Sequence, residues 1–462
     1  MTAPVRPRGV IDVDELRALV AADAVRTVIV GFPDAYGRVM GKRMTAAFFL
    51  DEVLERGVSV SNYLLACDIA MVAVDGYDVA SWQKGFGDMR LLPDTRTLRL
   101  ASWLDRTAVV LCDAYGPADS LIDVAPRTIL QRQIDRVSAL GLRPRVASEL
   151  ELYICNESYE EAARKRYLDL TPAGANLPAY DVLQTASHEP LVSQIRDHLE
   201  RSGIPVEASS GEFGQGQEEI NLRYADVLDM ADRHMLFKHA AKEIAIQQGR
   251  SVTFMAAWDA RHMGSGLHLH LSLSDLAGTR PMFPGTDRLG PICCSSIFRS
   301  FLGGWMAHLR EIFPFYVPYP NSYKRFYPYT TPMHNVWGFD HRSVAFRIVG
   351  RGDSLRIECR VPGADANPYL AYAATLAAGL DGIERHIDPP APFEGDPHVT
   401  ANLPPLPRTL SEALAGLEGS EWARRAFGER VIAHYLHFFR NEQRLHDEAV
   451  TDWDRARYFE RV

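Results

Sequence analysis

Four short runs of the chain carry ligand-type side chains at every second position: SELELY (148–153), QEEINLR (217–223), GLHLHLSL (266–273) and LRIECRV (355–361). In an extended strand alternate side chains share a face. Glu149 therefore pairs with Glu151, Glu219 with Asn221, His268 with His270, and Arg356 with Glu358 and Arg360. The residues between them, among them Leu150, Leu152, Leu267, Leu269 and Ile357, are apolar, which gives each run a buried face opposite its polar one. One such run alone describes an edge strand with a solvated side. Four of them gather carboxylates, imidazoles and guanidiniums on one side of a sheet. Glutamate oxygens suit Mg²⁺ or Mn²⁺, histidine can complete a Mn²⁺ shell, and arginine neutralises phosphoryl oxygens. The chemistry this implies is a cavity where divalent cations meet phosphate.

The elements that must hold these residues are legible around them. DELRALVAADAV (14–25) has helical spacing, and RTVIVGF and GRVMGKRM flank the turn-rich PDAY as a β-hairpin. Further helices are predicted at PRTILQRQIDRVSALG (126–141), HEPLVSQIRDHLERSG (188–203) and YADVLDMADRHMLFKHAAKEIAIQQG (224–249). RLLPDTRTLRLASW (90–103) closes a small first unit, and a second alternation of strands and helices starts at TAVVLCD (107–113). The predicted division is 1–106 and 107–462. GKRM (41–44) is not the tail of a phosphate loop, because three residues separate Gly37 from Gly41 and Arg43 stands where Ser or Thr is needed.

The totals narrow the partners. A chain of 462 residues can bury a large core, and its net charge of −9 with scattered basic residues gives a phosphate backbone nothing to grip. Nucleic acid is excluded. No stretch approaches the roughly 20 apolar residues of a membrane span, and MTAPVRPRG lacks a signal peptide's apolar region. A cytoplasmic protein is expected. The six cysteines form no C-x-x-C pair, which argues against a zinc ribbon.

The motifs as a set resemble the glutamine synthetase family, type I. GEFGQGQEEINL (211–222), GSGLHLHLSL, NSYKR (321–325), HRSVAFRI (341–348) and RIECRVPGADANPYLAYAATLAAGLDGI (356–383) stand in that family's order over nearly the whole chain. The resemblance implies an α+β fold, with a small β-grasp-like N-terminal domain and a large catalytic domain built on a curved, barrel-like antiparallel sheet flanked by helices. It implies two or three Mg²⁺ or Mn²⁺ ions per site and ATP as co-substrate. It further implies glutamate, ATP and an amine as small-molecule partners, and a dodecamer of two stacked hexameric rings. Glu151, Glu212 and Glu219 would hold one cation and Glu149, His268 and Glu358 a second. Gly264, Arg325 and Arg360 match the glutamate-binding set. Arg342 and Arg347 match the catalytic, phosphate-facing arginines, and Tyr224, Ser272, Arg347 and Arg356 the ATP site. For His270, direct contact and a supporting role both stay open.

The pattern breaks where the nitrogen nucleophile would enter. Members that use ammonium carry a glutamate six residues after the arginine of NSYKR; this chain reads FYPYTTP, which puts Thr331 there. A threonine hydroxyl is no base near neutral pH. The family's D-G-S-S tetrapeptide is also missing from VSVSNYLLACDIAMVAVDGYDV (58–79), where Asp68 is the nearest acid. Tyr327, Tyr329 and Thr331 suit an amine that carries carbon. The expectation is a γ-glutamyl-amine ligase, with ethanolamine favoured over putrescine or polyamines because Thr331 offers no charge to a second ammonium. The alternatives are a glutamine synthetase using ammonium and, behind it, a non-catalytic family member. Met263 replaces an asparagine common before G-S-G, and TANLPPLP (400–407) has no tyrosine for adenylylation.

Overall fold

The computed structural model describes residues 6–327 and 331–462. The N-terminal unit opens on the helix Val13–Ala21, capped at both reciprocal positions by Asp12 and Glu15. Its sheet contains β1 (Thr27–Pro33), β2 (Val39–Thr45), β3 (Val58–Ser61), β4 (Asp88–Pro93), β5 (Arg99–Leu100) and β6 (Thr107–Tyr115). The order is β2-β1-β6-β4-β3, with β5 paired to β6. The predicted hairpin is present as β1 and β2 in antiparallel register, with Gly31 opposite Gly41. The division at 107 requires correction. β6 lies between β1 and β4 in the small sheet, so the N-terminal unit extends through Tyr115.

The second sheet contains β7 (Leu142–Cys155), β8 (Val206–Gly211), β9 (Gln217–Leu222), β10 (Ala225–Asp226), β11 (Ser251–Thr253) and β12 (Leu267–Asp275). A separate ribbon, β13 (Asp287–Leu289) and β14 (Ile292–Cys294), follows. β15 (Trp337–Phe339), β16 (Phe346–Val349) and β17 (Arg356–Cys359) complete the large sheet. Its order is β15-β16-β17-β12-β7-β9-β8, antiparallel throughout that path except for β15 and β16. All four ligand-bearing runs are thus neighbours, in the order β17, β12, β7, β9.

The opposite face of this sheet is the core. Leu150, Leu152, Leu267, Leu269 and Ile357 are fully buried there. Ser148, which alternation places on this side, bonds both His234 of the helix Val227–Gln247 (3.0 Å) and Tyr372 of the helix Pro368–Arg385 (2.6 Å). The latter helix packs on the helix Ser296–Tyr316 at backbone distance. A Cβ added at Gly304 would lie 2.4 Å from the Ala378 carbonyl oxygen, which explains the small residues of YLAYAATLAAGLDG. Arg127 joins the two units: its guanidinium contacts Asp94 (2.7 Å) and Asp113 of the small unit and Asp232 (3.2 Å) of the large one.

Candidate active site

The strand register assembles the site. β7 pairs with β12 so that His268 faces Glu149, and with β9 so that Glu219 faces Glu151. Across β12 and β17 His270 faces Glu358, and across β16 and β17 Arg347 faces the same glutamate. Because the ligand-type residues recur at every second position, this pairing brings Glu149, Glu151, Glu219, His268, His270 and Glu358 to one face. Glu212 joins from the segment after β8, where its backbone N–H donates to the Gln217 carbonyl at 3.0 Å.

Three overlapping groups of donor atoms result, each gathered within 4.8 Å: Glu151, Glu212 and Glu219; Glu149, Glu219 and His268; and Glu149, His270 and Glu358. The first is the trio expected from the motifs. The residues expected to hold a second cation, Glu149, His268 and Glu358, are spread over the other two groups, His268 with Glu149 and Glu219 and His270 with Glu149 and Glu358. His268 Nδ1 is 3.2 Å from Glu149 and 3.9 Å from Glu358, while His270 Nε2 is 2.8 Å from Glu149. His270, left open by the sequence, stands inside the cluster.

The electrostatics show a site built for added positive charge. Burial, then the charges of Glu149, Glu151 and Glu212, pushes Glu219 up to about 9. Burial and the Glu151 charge push Glu212 up to about 7. Burial also disfavours the charged forms of Glu149 and Glu358, but histidines outweigh it at Glu149, and Arg360, the histidines and Arg347 outweigh it at Glu358; both carboxyls are held below the usual range. Carboxylates that keep protons against one another are completed by a divalent cation, and an all-oxygen and imidazole donor set fits Mg²⁺ or Mn²⁺.

Arginines and one glutamine frame the cluster. Arg347 donates to Glu358 at 2.8 Å and to Asp340 at 2.7 Å, and Arg360 donates to the other Glu358 oxygen. Arg356 Nε lies 3.2 Å from His270 Nδ1. Arg325, in the 3₁₀ turn Pro320–Arg325, is buried, donates to the Val361 carbonyl at 2.7 Å, and leaves its Nε without a partner. Burial pulls its guanidinium down to about 10. Gly264 lets the backbone meet this arginine, since a Cβ there would sit 2.4 Å from Arg325 Cβ. Gln217 is a residue the motifs did not single out. Its amide donates to Glu151 (3.0 Å) and to the Gly264 carbonyl (3.1 Å), and the two-residue alternation from Glu219 points to it.

Other predicted residues are not among these donor groups. Arg342 is exposed in the turn before β16. Ser272 and Tyr224 sit toward the far end of β7, beside Arg145. Thr331 is buried, but its hydroxyl accepts from Tyr327 N (2.9 Å) and donates toward the Tyr327 carbonyl (3.0 Å). These bonds tie Thr331 to the backbone at Tyr327. Tyr327 is 52% exposed, and Tyr329 lies outside the described residues. Asp68 accepts from Val72 N at 2.8 Å and caps a turn of the small unit.

A carboxylate and imidazole face that could hold cations, bordered by arginines, on a large sheet beside a small N-terminal sheet, fits the chemistry of a phosphoryl-transfer ligase. Residues 123–458 match the family model described as glutamine synthetase, catalytic domain. The chain is 44% identical over 451 residues to the gamma-glutamylethanolamide synthetase of Streptomyces coelicolor, covering 97% of this chain and 96% of that protein. It is 36% identical over 450 residues to the glutamate–isopropylamine ligase of a Pseudomonas species, covering 96% and 97%. The solved GmaS/ADP complex superposes with a TM-score of 0.83 at 27% identity, over 96% of this chain and 99% of that one. The chain belongs to the glutamine synthetase family. It is a ligase of that family.

Proposed function

We propose that the protein uses ATP to phosphorylate the γ-carboxylate of glutamate and then joins that carbon to a small organic monoamine, ethanolamine before putrescine or a polyamine. In the first half, a γ-carboxylate oxygen attacks the terminal phosphorus of ATP and ADP leaves. In the second, the amine nitrogen attacks the acyl carbon, inorganic phosphate leaves, and the nitrogen gives up a proton.

Arg325 and Arg360, with the backbone at Gly264, bind and orient the glutamate carboxylates in this reading. Arg342, Arg347 and Arg356 face the phosphates, and Tyr224 and Ser272 the rest of the nucleotide. Glu149, Glu151, Glu212, Glu219, His268 and Glu358 hold Mg²⁺ or Mn²⁺, with His270 beside them; bound there, the ions neutralise phosphate charge as it redistributes. Tyr327, Tyr329 and Thr331 border the amine.

The observation that carries the choice of amine is Thr331: the position that bears an acid in ammonium-using relatives is neutral and buried, and its hydroxyl is tied to the loop backbone. That wall has no charge to hold ammonium or the second ammonium of a diamine. The two relatives named above act on monoamines that carry carbon, which supports the same reading. We propose further that the chain works in the cytoplasm as a dodecamer of two hexameric rings. The amine choice is tested by ADP release with ATP, Mg²⁺ and glutamate across ammonium, ethanolamine, isopropylamine, putrescine and spermidine. Ethanolamine and other short monoamines are expected to give the highest kcat/KM; fastest turnover with putrescine or spermidine would move the assignment to polyamines.

A further inference from the structure

One step beyond the carboxylates, the shared face of β7 and β9 carries an uncharged pair. Tyr153 stands opposite Gln217 in the antiparallel register, two residues past Glu151 and on the same side of the strand. Both side chains reach one turn. The Tyr153 hydroxyl donates to the Met263 carbonyl at 2.8 Å, and the Gln217 amide donates to the next carbonyl, that of Gly264, at 3.1 Å. Two residues further on, the Gly266 N–H donates to Glu151 Oε2 at 2.7 Å, the same oxygen that accepts from Gln217 at 3.0 Å. Glu151 thus gives one oxygen to the turn and turns the other toward the cluster, 3.9 Å from His268 Nε2.

The Tyr153 ring is buried and has packing of its own. Trp258 and His262 stack on each other with ring centroids 5.0 Å apart and lie 5.5 and 5.9 Å from it. A phenylalanine would keep those contacts, so what the hydroxyl adds bears on the turn. On its other side runs Gly214, two residues after Glu212, so close that a Cβ there would lie 1.8 Å from the hydroxyl oxygen. One O–H group therefore sits between the segment that carries Glu212 and the turn that carries Gly264.

We propose that Tyr153 is a positioning residue for glutamate: through the Met263 carbonyl it sets the Gly264 turn, which Gln217 and Gly266 fasten to Glu151, so that the turn and this carboxylate move as one unit. The inference rests on the proposed reading of Gly264, Arg325 and Arg360 as the glutamate site. Glutamate held at the turn then tightens a cation held by Glu151, and the cation tightens glutamate by the same factor.

The test is calorimetric titration of the full-length protein with Mn²⁺, with and without saturating glutamate, and with glutamate at saturating Mn²⁺, for the unchanged chain, Tyr153→Phe and Tyr435→Phe. Tyr435, whose hydroxyl donates to the Val124 carbonyl at 3.0 Å, controls for the loss of one buried tyrosine–carbonyl bond away from the turn. Tyr153→Phe is expected to weaken glutamate about tenfold and to abolish the gain in Mn²⁺ affinity that glutamate brings, with Mn²⁺ affinity in the absence of glutamate unchanged. Tyr435→Phe is expected to change none of these. Gly214→Ala, which drives a methyl group against the hydroxyl, is expected to lose the coupling too and decides the matter if Tyr153→Phe does not fold. Unchanged glutamate affinity and coupling in Tyr153→Phe, with only a lower Tm, would overturn the proposal and leave the hydroxyl a structural bond. Equal losses in Tyr435→Phe would overturn it as well. If the unchanged chain bound Mn²⁺ and glutamate independently, the proposal would fall while the reading of the site stood; if it bound no glutamate, both would fall.

Discussion

Glu219 faces Glu151 across one strand pair and shares donor groups with Glu149 and Glu212, so four carboxylates confront one another in a small buried volume. Without a cation such a cluster destabilises the fold. Glu219→Gln is therefore expected to raise the Tm of the metal-free protein, to shrink the Tm gain on adding Mg²⁺ or Mn²⁺, and to lower kcat/KM about 100-fold or more. Calorimetry with and without metal checks this; a metal-free Tm that falls as far as in an ordinary core substitution would contradict it. Thr331 makes a different kind of residue prediction. Its hydroxyl bonds the backbone of Tyr327, so Thr331→Ser is expected to retain activity, whereas Thr331→Val, which unties the loop, is expected to raise the KM for the amine several-fold. Steady-state kinetics with ethanolamine separates the two. Equal, unchanged KM values would mean that the loop does not depend on this bond.

At the scale of elements, the two-residue alternation in four runs was enough to tell which side chains share a face. It could not tell which strands are neighbours, because pairing order is fixed by contacts distant in sequence. The pairing of His268 with Glu149 and of His270 with Glu358 is a matter of register, and register decided that both histidines meet the carboxylates. TAVVLCDAY reads as a buried strand in any sheet, so nothing local to it shows that β6 belongs between β1 and β4. The side-chain bonding of Thr331 was equally hidden, since a threonine in a loop can face a ligand or its own backbone.

The helix Glu429–Glu448 carries an element-scale prediction. It docks against the small unit through Tyr36, whose hydroxyl donates to Glu442 at 2.6 Å, and through His434, whose ring centroid is 4.6 Å from that of Tyr77. Burial, then His437 and Arg430, lowers His434 to about 3. The folded protein keeps this imidazole neutral while the unfolded chain protonates near the usual 6.5. Its contribution to stability is therefore full above about pH 6.5 and is lost as pH falls toward 3, by up to about 1.4 kcal/mol per pH unit. His434→Phe is expected to flatten the acid limb of a stability-versus-pH curve measured by urea unfolding, and an unchanged slope would contradict it.

Over the whole molecule, the small and large units meet at a buried charge. Arg127 serves Asp94, Asp113 and Asp232 together, and Tyr369 donates to Asp232 at 2.6 Å. Removing the guanidinium strands Asp232 in the interior, so Arg127→Leu is expected to cost about 3–5 kcal/mol of unfolding free energy. A loss below about 1 kcal/mol in urea titration would show that the joint does not depend on this ion cluster. The joint also bears on the site, because Asn367, at the start of the helix Pro368–Arg385, donates to the Asp34 and Ala35 carbonyls of the first hairpin turn (3.1 and 3.0 Å). In the proposed reaction this assembled site accepts an organic amine in preference to ammonium. That preference is tested most directly by offering the protein equimolar ¹⁵N-ammonium and ethanolamine with ATP, Mg²⁺ and glutamate, and weighing the products by mass spectrometry. γ-Glutamylethanolamide is expected in large excess over ¹⁵N-glutamine; ¹⁵N-glutamine as the main product would overturn the proposed function.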